Sequence, residues 1–213
     1  MNSGTKYIMK KNSYPGKFIV IEGLDGSGQS TQAELLRDFL AKKGYNVVLT
    51  KEPTRDSEAG RKIREILNKK SGILLEELQK LFAQDRKEHL ENLVNPALKE
   101  GKIVISDRYF FSSFAYGASS GISLDWLTKI NDNFLMPDLT FTLRVSPEVC
   151  MERIKKRGKD RTFFEEREKL EKVWQTYRLL PDRFENIYII DGEKTIEEVF
   201  SQIKNLIGSK LNL

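Results

Sequence analysis

From Lys17 onward the chain alternates short runs of β-branched and apolar residues with longer stretches of helical period. The short runs are "FIVI", "NVVLT", "KIVIS", "LTFTLRV" and "IYIID", each followed by one or more segments in which apolar residues recur every three to four positions. Strands that are apolar at nearly every position, not at every second one, must be covered on both faces. The pattern therefore predicts an α/β domain, a three-layer sandwich with a five-stranded parallel sheet flanked by helices. Residues 1–16 are polar, hold a Pro15-Gly16 turn signal and show no period, which predicts a flexible N-terminal tail ahead of a single domain over 17–213.

Segment ends carry their own signals. Gly44 follows "AELLRDFLAKK", where a helix closes best on a residue that tolerates the left-handed region, and Pro147 after Ser146 suits a first helical position. The stretch "TIEE", Thr195 to Glu198, reads as a capping box that opens the last helix.

Composition narrows the class. A chain of 213 residues with 39% hydrophobic content can bury one substantial core, and no run approaches the roughly 18 apolar residues of a membrane helix. The first residues lack the basic, apolar, small-residue order of a secretory signal, so a cytoplasmic location is expected. One cysteine, Cys150, and one histidine, His89, rule out an internal disulfide and a zinc cluster; both read as structural or surface residues. Thirty-six basic against 31 acidic residues give a net charge of +5 and a pI near 9.1, which suits an anionic ligand. Acids are interspersed throughout, against an extended nucleic-acid face.

The candidate chemistry lies between the first strand and the first helix. Gly23, Gly28 and Ser30 of "GLDGSGQST" meet the pattern G-x-x-x-x-G-x-[ST] of a phosphate-binding loop. Gly23, Leu24, Asp25, Gly26, Ser27, Gly28, Gln29, Ser30 and Thr31 are expected to hold ATP, with backbone N–H groups and a helix N-terminus around the phosphates and the Ser30 hydroxyl on Mg²⁺. Gln29 stands in the lysine position and brings a neutral amide where the pattern has a full charge. Losing one such donor costs about 3–4 kcal/mol of transition-state stabilisation, or about 10²–10³ in rate, so other cations must reach the phosphates.

Four further stretches follow in order: "KEPTR" (51–55), "LFAQDRKEH" (81–89), "SDRYFFSSFAY" (106–116) and "PDLTFTLRVSPE" (137–148). With the loop, they give the chain a resemblance to the thymidylate kinase family over nearly its whole length from Lys17. The resemblance implies a P-loop NTPase fold of the nucleoside monophosphate kinase type. It also implies transfer of the ATP γ-phosphate to dTMP, with Mg²⁺, in dTTP biosynthesis, by a homodimer. Carried onto this sequence, it makes Glu52, Pro53, Arg55, Phe82, Arg86, Arg108, Ser113 and Tyr116 the dTMP site. Phe82 would stack on the base, Arg86 would reach the base or its phosphate side, and Arg108 would clamp the acceptor phosphate. Ser113 and Tyr116 would lie beside the thymine and the deoxyribose. Asp107 would join Ser30 at the metal, and Asp25 would lie near the transferred phosphate.

The segment "CMERIKKRGKDR" (150–161) is similar to the family's mobile lid, expected over about 150–163. One type of family member has an arginine in the loop after the aspartate; the other has glycine there and draws its arginines from the lid. Gly26 follows Asp25 here, so the resemblance implies that Arg153, Arg157 or Arg161 supplies the catalytic cation alongside Asp25 and Arg108; the charge missing at Gln29 is expected from this lid, with Lys17 or Lys51 as a further source. Two other readings stand beside this one: a catalytically weak or inactive nucleotide-binding paralogue, suggested by Gln29, and a kinase for another nucleoside monophosphate. Neither a nucleic-acid nor a membrane partner is expected.

Overall fold

Every apolar run of the sequence forms a strand. A computed structural model describes residues 6–69, 72–156, 163–211 and 213. In it β1 (Lys17–Gly23), β2 (Val47–Lys51), β3 (Ile103–Asp107), β4 (Leu139–Arg144) and β5 (Ile187–Asp191) form one parallel sheet in the order β2-β3-β1-β4-β5. Successive side chains enter opposite cores: Phe18 and Val20 of β1 join one, Ile19 and Ile21 the other. Two apolar faces per strand explain the unbroken hydrophobic runs.

Helices α1 (Gln29–Lys42) and α9 (Ile196–Leu211) cover the face of Ile19 and Ile21 through Leu36, Leu40, Ile203 and Ile207. The opposite face carries α5 (Phe110–Ser119) and α8 (Phe163–Arg183), and Phe184, directly after α8, packs among the rings of α5. Phe110, Phe111 and Phe114 of α5 meet one another and Phe184 with ring centroids 4.5–5.9 Å apart. This aromatic anchoring fixes α5, which carries Ser112, Ser113 and Tyr116 toward the phosphate loop.

Helix α3 (Leu75–His89) runs through a π-helical turn at Leu90–Val94 into α4 (Asn95–Lys99). Pro96 has no N–H to donate and its ring crowds the carbonyl four residues back, so the wider turn falls immediately before it. The expected caps are present. Gly44 has φ +90° and donates to the Ala41 carbonyl at 2.9 Å, and Pro147 opens α7 (Pro147–Lys156). The capping box is reciprocal: the Thr195 N–H donates to Glu198 Oε2 at 3.0 Å, and the Glu198 N–H to Thr195 Oγ1 at 3.3 Å. No described helix is long and apolar enough to cross a membrane.

Two segments pack in ways the sequence pattern does not show. Residues 6–16, expected as part of a flexible tail, form a strap across the core that holds Phe18 and Val20. Tyr7 stacks on Phe184 with centroids 5.1 Å apart, Met9 is buried, and the Met136 N–H donates to the Lys10 carbonyl. The strap crosses the surface without forming an element, so its three anchors leave no period to read. The lid expected from residue 150 begins as helix α7, because Cys150, Met151 and Ile154 are buried on one of its faces.

Candidate active site

The phosphate loop is shaped by three glycines with positive φ: Gly23 at +154°, Gly26 at +88° and Gly28 at +100°. Gly28 is the N-cap of α1 and places no side chain over the first N–H groups of that helix, leaving them to face an anion. Gly26 is constrained twice. Besides its left-handed backbone, a Cβ there would lie 2.6 Å from the Cys150 carbonyl oxygen, so α7 forms the outer wall of the loop. A Gly26→Ala variant is expected to lose about 1–3 kcal/mol from backbone strain alone, and more from displacing α7. Thermal melting and ATP affinity both report it; an unchanged melting temperature would contradict this packing. The same wall pushes the Cys150 thiol up to about 12, through burial.

Parallel pairing brings three chemical groups to one edge of the sheet. Asp107 is in register with Ile21 of β1 and with Lys51 of β2, so all three strands end beside the loop. The Ser30 hydroxyl donates to Asp107 Oδ2 at 2.5 Å, and Lys51 Nζ lies 2.5 Å from the same oxygen and 3.4 Å from Ser30 Oγ. Asp107 Oδ1 is buried with no partner among the described residues. A hydroxyl beside a carboxylate with one uncommitted oxygen fits Mg²⁺, whose remaining ligands in such sites come from phosphates and water.

Across the loop stands Arg108, at φ +79°. Its Nη2 donates to Asp25 Oδ1 at 2.7 Å, its Nη1 to Ser112 Oγ at 2.8 Å, and its guanidinium lies 5.5 Å from the Tyr116 ring centre. The Tyr116 hydroxyl accepts the Asp25 N–H at 3.2 Å. Behind them Glu22 is fully buried and accepts four bonds, from the Tyr109 and Ser112 N–H groups, the Ser112 hydroxyl and the Tyr177 hydroxyl. Burial pushes its carboxyl up, and nearby Arg108 together with these donors opposes that rise. Glu22 thus caps the first turn of α5 from a neighbouring strand and, through Ser112, orients Arg108. Sequence reasoning missed this residue; the signal was an acid inside an otherwise apolar strand.

Helix α3 grips the turn after β2 with two adjacent residues. Arg86, 1% exposed, donates through Nε to Glu52 Oε2 at 2.8 Å, through Nη1 to Asn131 Oδ1 at 2.6 Å and through Nη2 to Ser113 Oγ at 3.3 Å. Asp85 accepts the Thr54 N–H at 2.9 Å and the Thr54 hydroxyl at 2.6 Å, and bonds the Ser57 hydroxyl. The turn between, with its cis Glu52–Pro53 bond, is held from both ends. Phe82, one turn before Arg86 on the same face, is half-buried and belongs to neither core. Pro53 and the exposed Arg55 line a cleft of about 870 Å³ that reaches Ser30, Lys51 and Asp107, with His89 in its wall. His89 Nδ1 lies 3.0 Å from Glu52 Oε1, so the single histidine belongs to this network.

The expected lid cations divide. Arg153 does not lie over the loop as a finger: it donates to the Ser27 carbonyl at 3.2 Å and the Gly192 carbonyl at 3.3 Å, tying the loop to the turn after β5. Arg157 and Arg161 lie outside the described residues. Lys17 starts β1 at the end of the sheet opposite the loop, 4.0 Å from Asp138, and takes no part in the site.

A phosphate chain entering loop 23–28 would thus meet charge from two sides, with Ser30, Asp107 and Lys51 on one and Arg108 on the other. That layout, at the carboxyl edge of a sheet where strand order reverses, is the layout of a P-loop phosphotransferase. Residues 21–203 match the thymidylate kinase family. The chain is 43% identical over 201 residues to a probable thymidylate kinase of Pyrococcus horikoshii, covering 92% of this chain and 98% of that one. It is 39% identical over 204 residues to the thymidylate kinase of Caldicellulosiruptor saccharolyticus, again 92% and 98% of the two chains. To that of Thermosipho africanus the identity is 38% over 205 residues, 91% and 98%. The chain belongs to the thymidylate kinase family and is an ATP-dependent nucleoside monophosphate kinase.

Proposed function

We propose that the chain transfers the γ-phosphoryl group of ATP to the phosphate of dTMP, giving ADP and dTDP. The observation that carries this reading is the Arg108–Asp25 contact, in which an arginine at the end of β3 faces a carboxylate of the donor loop at 2.7 Å. A donor phosphate held on the loop N–H groups beside Asp25 and an acceptor phosphate held on Arg108 would face one another. An acceptor-phosphate oxygen bonds to the γ-phosphorus, the bond to the β,γ-bridging oxygen breaks, and ADP leaves. The loop N–H groups hold the donor phosphates, and Arg108 turns its fork from Asp25 to the acceptor phosphate.

Phe82 offers its ring to the base, with Ser113 and Arg86 at the polar edge and Tyr116 against the sugar; Glu52 and Pro53 shape the turn, and Arg55 adds charge at its rim. Ser30 and Asp107 would hold Mg²⁺, which would supply neutralising charge to the phosphates. Arg157 and Arg161 act as lid cations, and the enzyme works as a cytoplasmic homodimer. An inactive nucleotide binder is not favoured: it would have no use for the acceptor-side network of Glu22, Asp85, Arg86 and Arg108, all of which remain in place.

The test is an ADP-release assay with ATP, Mg²⁺ and dTMP, dUMP, UMP, CMP or AMP as acceptor. The expected result is a kcat/KM for dTMP at least about tenfold above the others, since one well-placed pocket contact discriminates by about 1–3 kcal/mol. Turnover with no acceptor while ATP still binds would overturn it.

A further inference from the structure

We propose that Lys51, from the end of β2, supplies the cation on the ATP phosphates that position 29 lacks, and that Gln29 serves instead as a strut of the loop. The inference rests on the phosphotransferase reading above and concerns which residue carries the charge.

Gln29 is 5% exposed, and both ends of its amide are engaged within the loop. Its Oε1 accepts the Ser27 hydroxyl at 2.7 Å and its Nε2 donates to the Gly23 carbonyl at 3.3 Å, joining the two ends of the loop. An amide can accept and donate at once. An ammonium only donates, so a lysine in this place would leave the Ser27 hydroxyl without its acceptor. The interior is also tight: a Cβ on Gly23 would lie 2.5 Å from Ser27 Oγ. Glutamine is thus matched to the polar groups of this loop, and its side chain stays in the loop wall.

The charge stands one residue further along. Ser30 directly follows Gln29, and the Lys51 ammonium lies 3.4 Å from its hydroxyl and 2.5 Å from Asp107. The strand register that pairs Lys51 with Asp107 delivers the ammonium to the loop mouth, the region a lysine at position 29 would serve. Its side chain is 53% exposed, so it has room to turn from Asp107 toward phosphates entering the loop. Of the other described cations near the loop, Arg153 is bonded to two carbonyls and Arg108, paired with Asp25, is the one that turns to the acceptor phosphate.

The test compares Lys51→Gln, Gln29→Lys, the double variant and Gln29→Leu with the wild type. ATP affinity is measured by calorimetry in EDTA and in Mg²⁺, together with kcat and both KM values. Lys51→Gln is expected to weaken ATP binding at least tenfold in EDTA and to lower kcat by about 10²–10³, the usual loss for one electrostatic donor, with KM for dTMP moving less than about threefold. Gln29→Lys should raise kcat at least tenfold more in the Lys51→Gln background than in the wild type. Gln29→Leu should lower the melting temperature by several degrees through loss of both amide bonds.

ATP affinity and kcat of Lys51→Gln within twofold of wild type would overturn the charge assignment, as would an effect confined to KM for dTMP. An unchanged melting temperature in Gln29→Leu would overturn the strut. If the wild type turned over no acceptor, the dTMP reading would fall, while the ATP affinities in EDTA would still decide the role of Lys51.

Discussion

Replacing Arg108 with alanine is expected to lower kcat/KM for dTMP by about 10³-fold or more, the range found when a phosphate-clamping arginine is removed. The guanidinium touches the donor loop through Asp25 and is held square by Ser112, which is itself fixed by Glu22. Both the charge and the fork geometry are therefore positioned, and Arg108→Lys, which keeps only the charge, should remain at least about 10²-fold impaired. ATP affinity should shift only a few-fold, because the Asp25 side chain is 47% exposed and water can replace its partner. The backbone adds a second test. Arg108 has φ +79°, a conformation that costs a non-glycine residue about 1–3 kcal/mol. Arg108→Gly should therefore be as inactive as Arg108→Ala yet measurably more stable in urea. Equal stability of the two would mean that the strain is not stored there.

The sheet and its loop were legible in the sequence because their signals are local. Five apolar runs, a capping box at Thr195 and a glycine pattern after "FIVI" each fit within a dozen residues. The strand order and the side-chain partners are set by pairing across the chain, and these could not be read. Glu22 finds Tyr177 155 positions away, and Arg86 finds Glu52 and Asn131 34 and 45 positions away. The pair Asp85-Arg86 was legible as a motif, yet only the fold shows that its aspartate grips Thr54 while its arginine grips Glu52. Arg153 illustrates the complementary limit. A run of cations looks like a solvated lid in one dimension, whereas Cys150, Met151 and Ile154 bury one face of that run and direct Arg153 to backbone carbonyls. Gln29 alone signals a need for charge near the phosphates; that Lys51 stands at the loop mouth follows only from the strand register that places β2 beside the loop.

The same buried network leads to the largest expected loss of stability. Arg86→Ala removes one partner of an ion pair whose side chains are 2% and 3% exposed, and such removals cost about 3–5 kcal/mol because the remaining charge stays buried and uncompensated. For a domain of this size that lowers the melting temperature by roughly 6–20 °C. Glu52 would keep only His89 as a partner, and the Asn131 and Ser113 oxygens would each lose a donor. Neutralising the survivor should restore much of this: Arg86→Met combined with Glu52→Gln replaces a buried pair with neutral groups, an exchange that is often nearly neutral for folding. Activity should not follow. The repaired double variant still lacks the guanidinium beside Ser113, so its KM for dTMP should remain at least about tenfold raised while its unfolding midpoint recovers. Recovery of both together would make Arg86 a structural residue only; recovery of stability alone separates its hold on the turn from its contact with the acceptor.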